Sequence, residues 1–156
     1  MKYRYIILGV ILLVIIVFCV IKFFNRSTII SNIKSMTFHY TRGYAINADI
    51  RYEINCENNK CVALYKPYGI DIDHAKKKTI DNKTMNKIEA ILSKYEVGKW
   101  NGFHGNNKYV LDGDSFSLYI TMNDDSKVEA SGYMKWPKNY GNVRNELDSV
   151  FEELFK

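Results

Sequence analysis

Between Ile6 and Phe24 the chain is an unbroken apolar run except for Lys22 near its far end, and no other stretch limits the possible folds so sharply. A helix of about 20 predominantly apolar residues crosses roughly 30 Å of hydrocarbon with every backbone polar group paired internally. Tyr5 to Phe24 meets that length, and Lys22 sits where its stem can snorkel to the headgroups. A cleaved signal peptide would need a shorter apolar core and small residues at the cut, whereas Ile21-Lys22-Phe23-Phe24-Asn25-Arg26 is bulky and charged. A lipoprotein would acylate Cys19, but Phe18 stands where the lipobox has a small residue. A buried helix of a small domain would show a polar side, and this run has none. The expectation is a retained membrane anchor over residues 1–26, a juxtamembrane connector over 27–35 and one α+β domain over 36–156.

Lys2 and Arg4 precede the run while Lys22 and Arg26 follow it, so flanking charge does not orient it. Those four residues also account for four of the five formal positive charges, which leaves the rest of the chain near neutral. Nucleic-acid binding needs a concentrated basic stripe, and Lys76-Lys77-Lys78 is too short to be one. It reads as a solvated turn before a helix. With 47% hydrophobic and 25% charged residues the composition is that of an ordinary folded domain, neither disordered nor fibrous.

Met36-Thr37-Phe38-His39-Tyr40-Thr41 alternates as a first strand. The next run places Ile46, Ala48, Ile50, Tyr52, Ile54 and Cys56 on one face against Asn47, Asp49, Arg51, Glu53 and Asn55 on the other, the pattern of a strand with one buried face. After the turn Glu57-Asn58-Asn59-Lys60 the chain returns through Cys61 to Lys66. If Cys56 faces Cys61, Ile54 faces Ala63 and Tyr52 faces Tyr65, so register and packing agree. Pro67 ends the pairing. The same register sets the two cysteines within disulfide reach across a four-residue turn, and a disulfide persists outside the cytoplasm. Free buried thiols or a two-cysteine metal site are the alternatives, and a disulfide would favour an outward domain.

Asp81 is an N-cap for a helix whose apolar stripe is Met85, Ile88, Ile91, Leu92 and Tyr95, with Gly98 as the stop. Phe116 to Met122 and Val128 to Met134 alternate as a second hairpin, and Val143, Leu147, Val150, Phe151, Leu154 and Phe155 form the apolar side of a closing helix. The predicted order is β-β-β-α-β-β-α: an antiparallel five-stranded sheet behind the transmembrane helix, with two helices packed on one face.

Catalytic patterns are not written locally. His39, His74 and His104 have no histidine three or four residues away, so no metal box is expected. Asp71-Ile72-Asp73-His74 and Asp112-Gly113-Asp114 lack the EF-hand continuation and read as turn carboxylates. No Gly-x-Ser-x-Gly elbow or Gly-rich phosphate loop is present, and no cofactor is implied. The remaining candidates are aromatics at the ends of elements: Trp100, Phe103, Tyr109, Trp136 and Tyr140. Such residues either present a binding surface, because they bury large area at low entropic cost, or cap the ends of the core, the commoner fate.

Trp100-Asn101-Gly102-Phe103, Val110-Leu111-Asp112-Gly113-Asp114-Ser115-Phe116-Ser117-Leu118, Ala130-Ser131-Gly132-Tyr133-Met134 and Pro137-Lys138-Asn139-Tyr140 together resemble a pattern in a family of small membrane-anchored or lipoprotein-like proteins of low-GC Firmicutes. The resemblance runs from about Lys99 to the C-terminus. It implies an envelope location and no particular activity, and this chain departs from it in its leader and at Asp124-Asp125-Ser126. The expected function is a non-catalytic binding or accessory module at the cell envelope, outside the cytoplasm. Its expected partners are the membrane and an envelope protein or cell-wall ligand. The alternative is an envelope hydrolase or an enzyme inhibitor whose site forms only in the fold.

Overall fold

The computed structural model describes residues 11, 13–16, 28–43 and 46–156. The run Tyr5–Phe24, expected to cross the membrane, lies outside those residues apart from residues 11 and 13–16, which are helical. Among the described residues no helix is long and apolar enough to cross a membrane, so the transmembrane helix of the expected fold is not part of the observed architecture.

The first two hairpin strands form as their alternation dictates. β1 (Ile33–Thr41) lies antiparallel to β2 (Asp49–Glu57), which pairs with β3 (Lys60–Lys66) in the anticipated register: Cys56 opposite Cys61, Ile54 opposite Ala63, Tyr52 opposite Tyr65. Cys56 and Cys61 are joined by a disulfide. β4 (Lys76–Ile80) follows, then helix α1 (Asn82–Lys94), β5 (Phe103–Asn106), β6 (Ser115–Met122), β7 (Lys127–Tyr133) and helix α2 (Tyr140–Leu154). Among the described residues the sheet has seven strands in the order β4-β3-β2-β1-β6-β7-β5. The β5–β7 pair is parallel and the other pairs are antiparallel.

This corrects the five-stranded antiparallel expectation at both edges. β4 is the Lys76-Lys77-Lys78 stretch read as a turn. Its lysines are what an edge strand needs, because charge on an open edge discourages pairing with another chain. Lys76 and Lys78 also donate to the carbonyls of Phe155 and Leu154, at 3.4 and 2.9 Å, where the dipole of α2 favours cations. β5 is only four residues long, and it exists because β7 supplies a parallel partner.

Smaller corrections follow from packing. Ile30 and Ile33 are buried, so the expected connector already contributes to the core and β1 begins before Met36. Ile46, expected on the buried face, is 90% exposed, because β2 begins only at Asp49. In α1 the Asp81 carboxylate accepts from the Thr84 N–H at 2.8 Å as an N-cap, and Met85, Ile88, Ile91 and Leu92 are buried. The helix ends at Lys94, ahead of Gly98, where Glu96 turns the chain with φ 55°.

Both helices cover one face of the sheet, over Phe38, Tyr52, Ile54, Leu118 and Ile120. Tyr52 stacks on Phe151 of α2 with ring centroids 4.3 Å apart. The chain joins the domain at one end of the strands: Ser93 donates to the Ile30 carbonyl, and Asn123 N–H to the Asn32 carbonyl. Nine residues of β1, at about 3.3 Å each, carry it to the other end. There Thr41, Asp49, Lys66, Ser115 and Tyr133 end or begin their strands, and the β1–β2, β3–β4, β5–β6 and β7–α2 connections gather.

Candidate functional site

At that far end a short crossing segment carries the aromatic wall. Gly132 permits it: a Cβ there would lie 2.2 Å from the Lys135 carbonyl oxygen and 2.5 Å from the Phe116 ring, so only glycine lets the chain after β7 fold back this closely. Asn139 then takes φ 65°, a left-handed conformation that asparagine tolerates, and turns the chain into α2 with Tyr140 pointing inward. Tyr140 is buried, and Trp136 stacks on it with centroids 4.6 Å apart at 15°, remaining 36% exposed.

Phe116 is the hub behind this wall. Its ring lies 4.8 Å from Tyr140, 5.7 Å from Trp136, 6.1 Å from Trp100 and 6.3 Å from Phe103. Four of the five aromatics singled out in the sequence therefore converge, but with different fates. Trp100 is 3% exposed and its indole N–H donates to the Lys138 carbonyl at 3.0 Å, so it belongs to the core. Phe103 opens the edge strand β5 and is half-buried. Tyr109 is 97% exposed on the β5–β6 connection and lines a separate depression with Asn106 and Met134.

Trp136 and Tyr140 wall an open cleft of about 480 Å³ together with Thr41, Asp114, Asn142 and Arg144. Asp114 Oδ1 accepts from the Gly43 N–H at 2.8 Å, which ties the β1–β2 connection to the start of β6. Thr41 Oγ1 accepts from the Ser115 N–H at 2.9 Å. Arg144 Nε is buried with no hydrogen-bond partner among the described residues, and its Nη2 donates to Asn145 Oδ1 at 3.2 Å. In the sequence Asp114 reads as a turn carboxylate, and neither Asn142 nor Arg144 stands out.

Beside the cleft, Asp148 of α2 accepts from both the Tyr40 and Tyr52 hydroxyls, at 2.7 Å each, and Arg42 Nη2 lies 3.5 Å from its other oxygen. Burial, reinforced by the neighbouring Asp148 carboxylate, pushes the Tyr40 and Tyr52 phenols well above the ordinary tyrosine range. Burial raises Tyr140 as well. The guanidinium groups of Arg42 and Arg144 lie 5.6 and 5.7 Å from the Tyr40 ring centroid, a cation–π arrangement.

The face of the sheet away from the helices is polar. Lys66, only 2% exposed, donates to the Asp49 carbonyl and to Asp49 Oδ1, both at 2.7 Å, and His39 Nε2 lies 3.2 Å from Asp49 Oδ2. Burial pushes the Asp49 carboxyl up, but the Lys66 hydrogen bond and charge outweigh it and hold the group below the ordinary aspartate value. On the same face His104 Nδ1 lies 3.0 Å from Ser131 Oγ. Among the described residues no carboxylate is hydrogen-bonded to the His104 ring, and no three metal-ligating side chains come together.

The chain matches no protein-family model and no curated protein.

Proposed function

We propose that this chain is a non-catalytic binding module of the cell envelope, working outside the cytoplasm, with the Trp136–Tyr140 cleft as its ligand site. The observation that carries the reading is Trp136 itself: a large side chain braced by a stacked, buried tyrosine, left partly open at the mouth of a cleft lined by polar groups. A rigid aromatic with one side supported and another exposed binds at little entropic cost, and convergent polar groups fix the orientation of what it holds.

Two further features support the location. The Cys56–Cys61 disulfide is of a kind that persists in oxidising compartments. The cleft lies at the opposite end of β1 from residues 28–33, about 27 Å away at a strand's rise, so a domain held by its apolar leading run would present the cleft away from its tether. Ile46, Tyr109 and Leu111 expose apolar surface on the connections at this same end.

Co-sedimentation of the full chain, held in detergent, with detergent-washed cell-wall fragments tests the reading. Binding that is lost in Trp136→Ala and retained in Tyr119→Ser, a change at an exposed position of the opposite face, is the expected result. Equal binding by both variants would overturn the assignment of the cleft. The hydrolase alternative draws on the Ser131–His104 contact alone, and Ser131→Ala gives it a direct test against any hydrolytic activity found.

A further inference from the structure

We infer that the cleft takes a neutral, hydroxyl-rich ligand, a glycan segment; this deepens the binding reading above and rests on it. Two cations, Arg42 and Arg144, and two anions, Asp114 and Asp148, lie in or beside the cleft, and their formal charges cancel. Arg42 is already paired with Asp148, at 3.5 Å. A phosphate or a strongly acidic ligand would want an uncompensated cation cluster, and a basic peptide would want the reverse. Neither imbalance is present.

The hydrogen-bonding inventory fits a polyol. Sugar hydroxyls donate and accept at once, so they are best met by planar side chains that offer both functions side by side. Asp114 accepts with the oxygen not held by Gly43, Asn142 offers an amide oxygen and an NH₂, and Arg144 donates. The Trp136 ring supplies the remaining surface. The C–H face of a pyranose is flat and apolar, and a partly open indole braced by Tyr140 at 15° is a matching platform. An open cleft of about 480 Å³ accommodates one or two sugar rings and leaves an exit for a continuing chain.

The test uses the full chain in a detergent without a sugar headgroup. The probes are a β-1,4-linked N-acetylglucosamine tetrasaccharide, maltotetraose, inorganic phosphate, and one acidic and one basic peptide, with isothermal titration calorimetry as the readout, which does not depend on the residue being replaced. A saturable change with at least one of the oligosaccharides, absent with phosphate and the peptides, is expected. It should vanish in Trp136→Ala, return in part in Trp136→Phe, and need about tenfold more ligand in Asn142→Ala, the loss of one well-placed hydrogen bond. Asp114→Asn keeps an acceptor for Gly43 and so tests the carboxylate without releasing the loop. A Trp136-dependent response to phosphate or a peptide but to neither oligosaccharide would overturn the glycan inference while leaving the binding reading intact. A glycan response unchanged in Trp136→Ala would overturn both.

Discussion

The indole N–H of Trp100 donates to the backbone carbonyl of Lys138 at 3.0 Å, and this contact separates two tryptophans that the sequence presents as equals. Trp100 fixes the β7–α2 connection from inside, whereas Trp136 rides on that connection outside. Replacing Trp100 by Ala should cost about 3–5 kcal/mol, the range for a core aromatic whose cavity cannot collapse. Replacing Trp136 by Ala should cost less, about 1–2 kcal/mol, for the ring contacts with Tyr140 and Phe116 made from a partly exposed position. Urea denaturation of both variants checks the difference, and equal losses would place Trp136 in the core with Trp100.

The disulfide gives a second expectation. The chain has three cysteines, and under denaturing conditions alkylation without reductant should label Cys19 alone, whereas after reduction it should label all three. Reduction should destabilise the domain by about 2 kcal/mol, since the closed loop is short and the chain-entropy gain correspondingly small. Labelling of all three before reduction would show that the bond is not formed in the cell.

The β2–β3 register is legible from alternation together with the four-residue turn, because a one-residue slip would turn Ala63 and Tyr65 away from the face that holds Ile54 and Tyr52. β4 was hidden by the chemistry that makes it a good edge: three lysines look like a solvated turn, and only the carbonyls at the end of α2 reveal their use. β5 depends on a parallel partner more than 20 residues later, which no local pattern encodes. For the site, Trp136 and Tyr140 stood out by residue type and position. Phe116, Asp114, Asn142 and Arg144 did not, because each reads as an ordinary strand, turn or helix residue until the fold brings it to the cleft.

Asp148 gives a pH-dependent expectation. It anchors two buried phenols, and both have ionisation raised by burial and by its own charge. In the unfolded chain these tyrosines lose their protons near pH 10, about the model value, while the folded state retains them. The unfolded state then binds fewer protons, so stability should fall as pH rises past about 10. Tyr52→Phe should flatten that fall and cost about 1 kcal/mol at neutral pH for the lost hydrogen bond. Denaturation midpoints between pH 8 and 11 measure it, and an unchanged slope in the variant would contradict the assignment.

At acid pH the Asp49–Lys66 pair sets the sign. The folded-state Asp49 carboxyl is held below its ordinary value, so its contribution is complete above about pH 4 and is lost as pH falls through the depressed value. Asp49→Asn should flatten the acid limb of the stability curve. It should also cost about 3–5 kcal/mol at neutral pH, the penalty for leaving the buried Lys66 without its counter-charge. A neutral-pH loss well below 1 kcal/mol would mean that the buried amine is satisfied elsewhere.

The central claim, that Trp136 and Tyr140 wall a ligand site, is tested most directly by collisional quenching of tryptophan emission with iodide, in the presence and absence of solubilised envelope fragments. The unliganded chain should show one accessible and one inaccessible tryptophan, as the exposures of 36% and 3% require. Fragments that bind should shield the accessible one and leave Trp100 unchanged. Quenching of Trp136 that stays the same while the fragments are demonstrably bound would contradict the account.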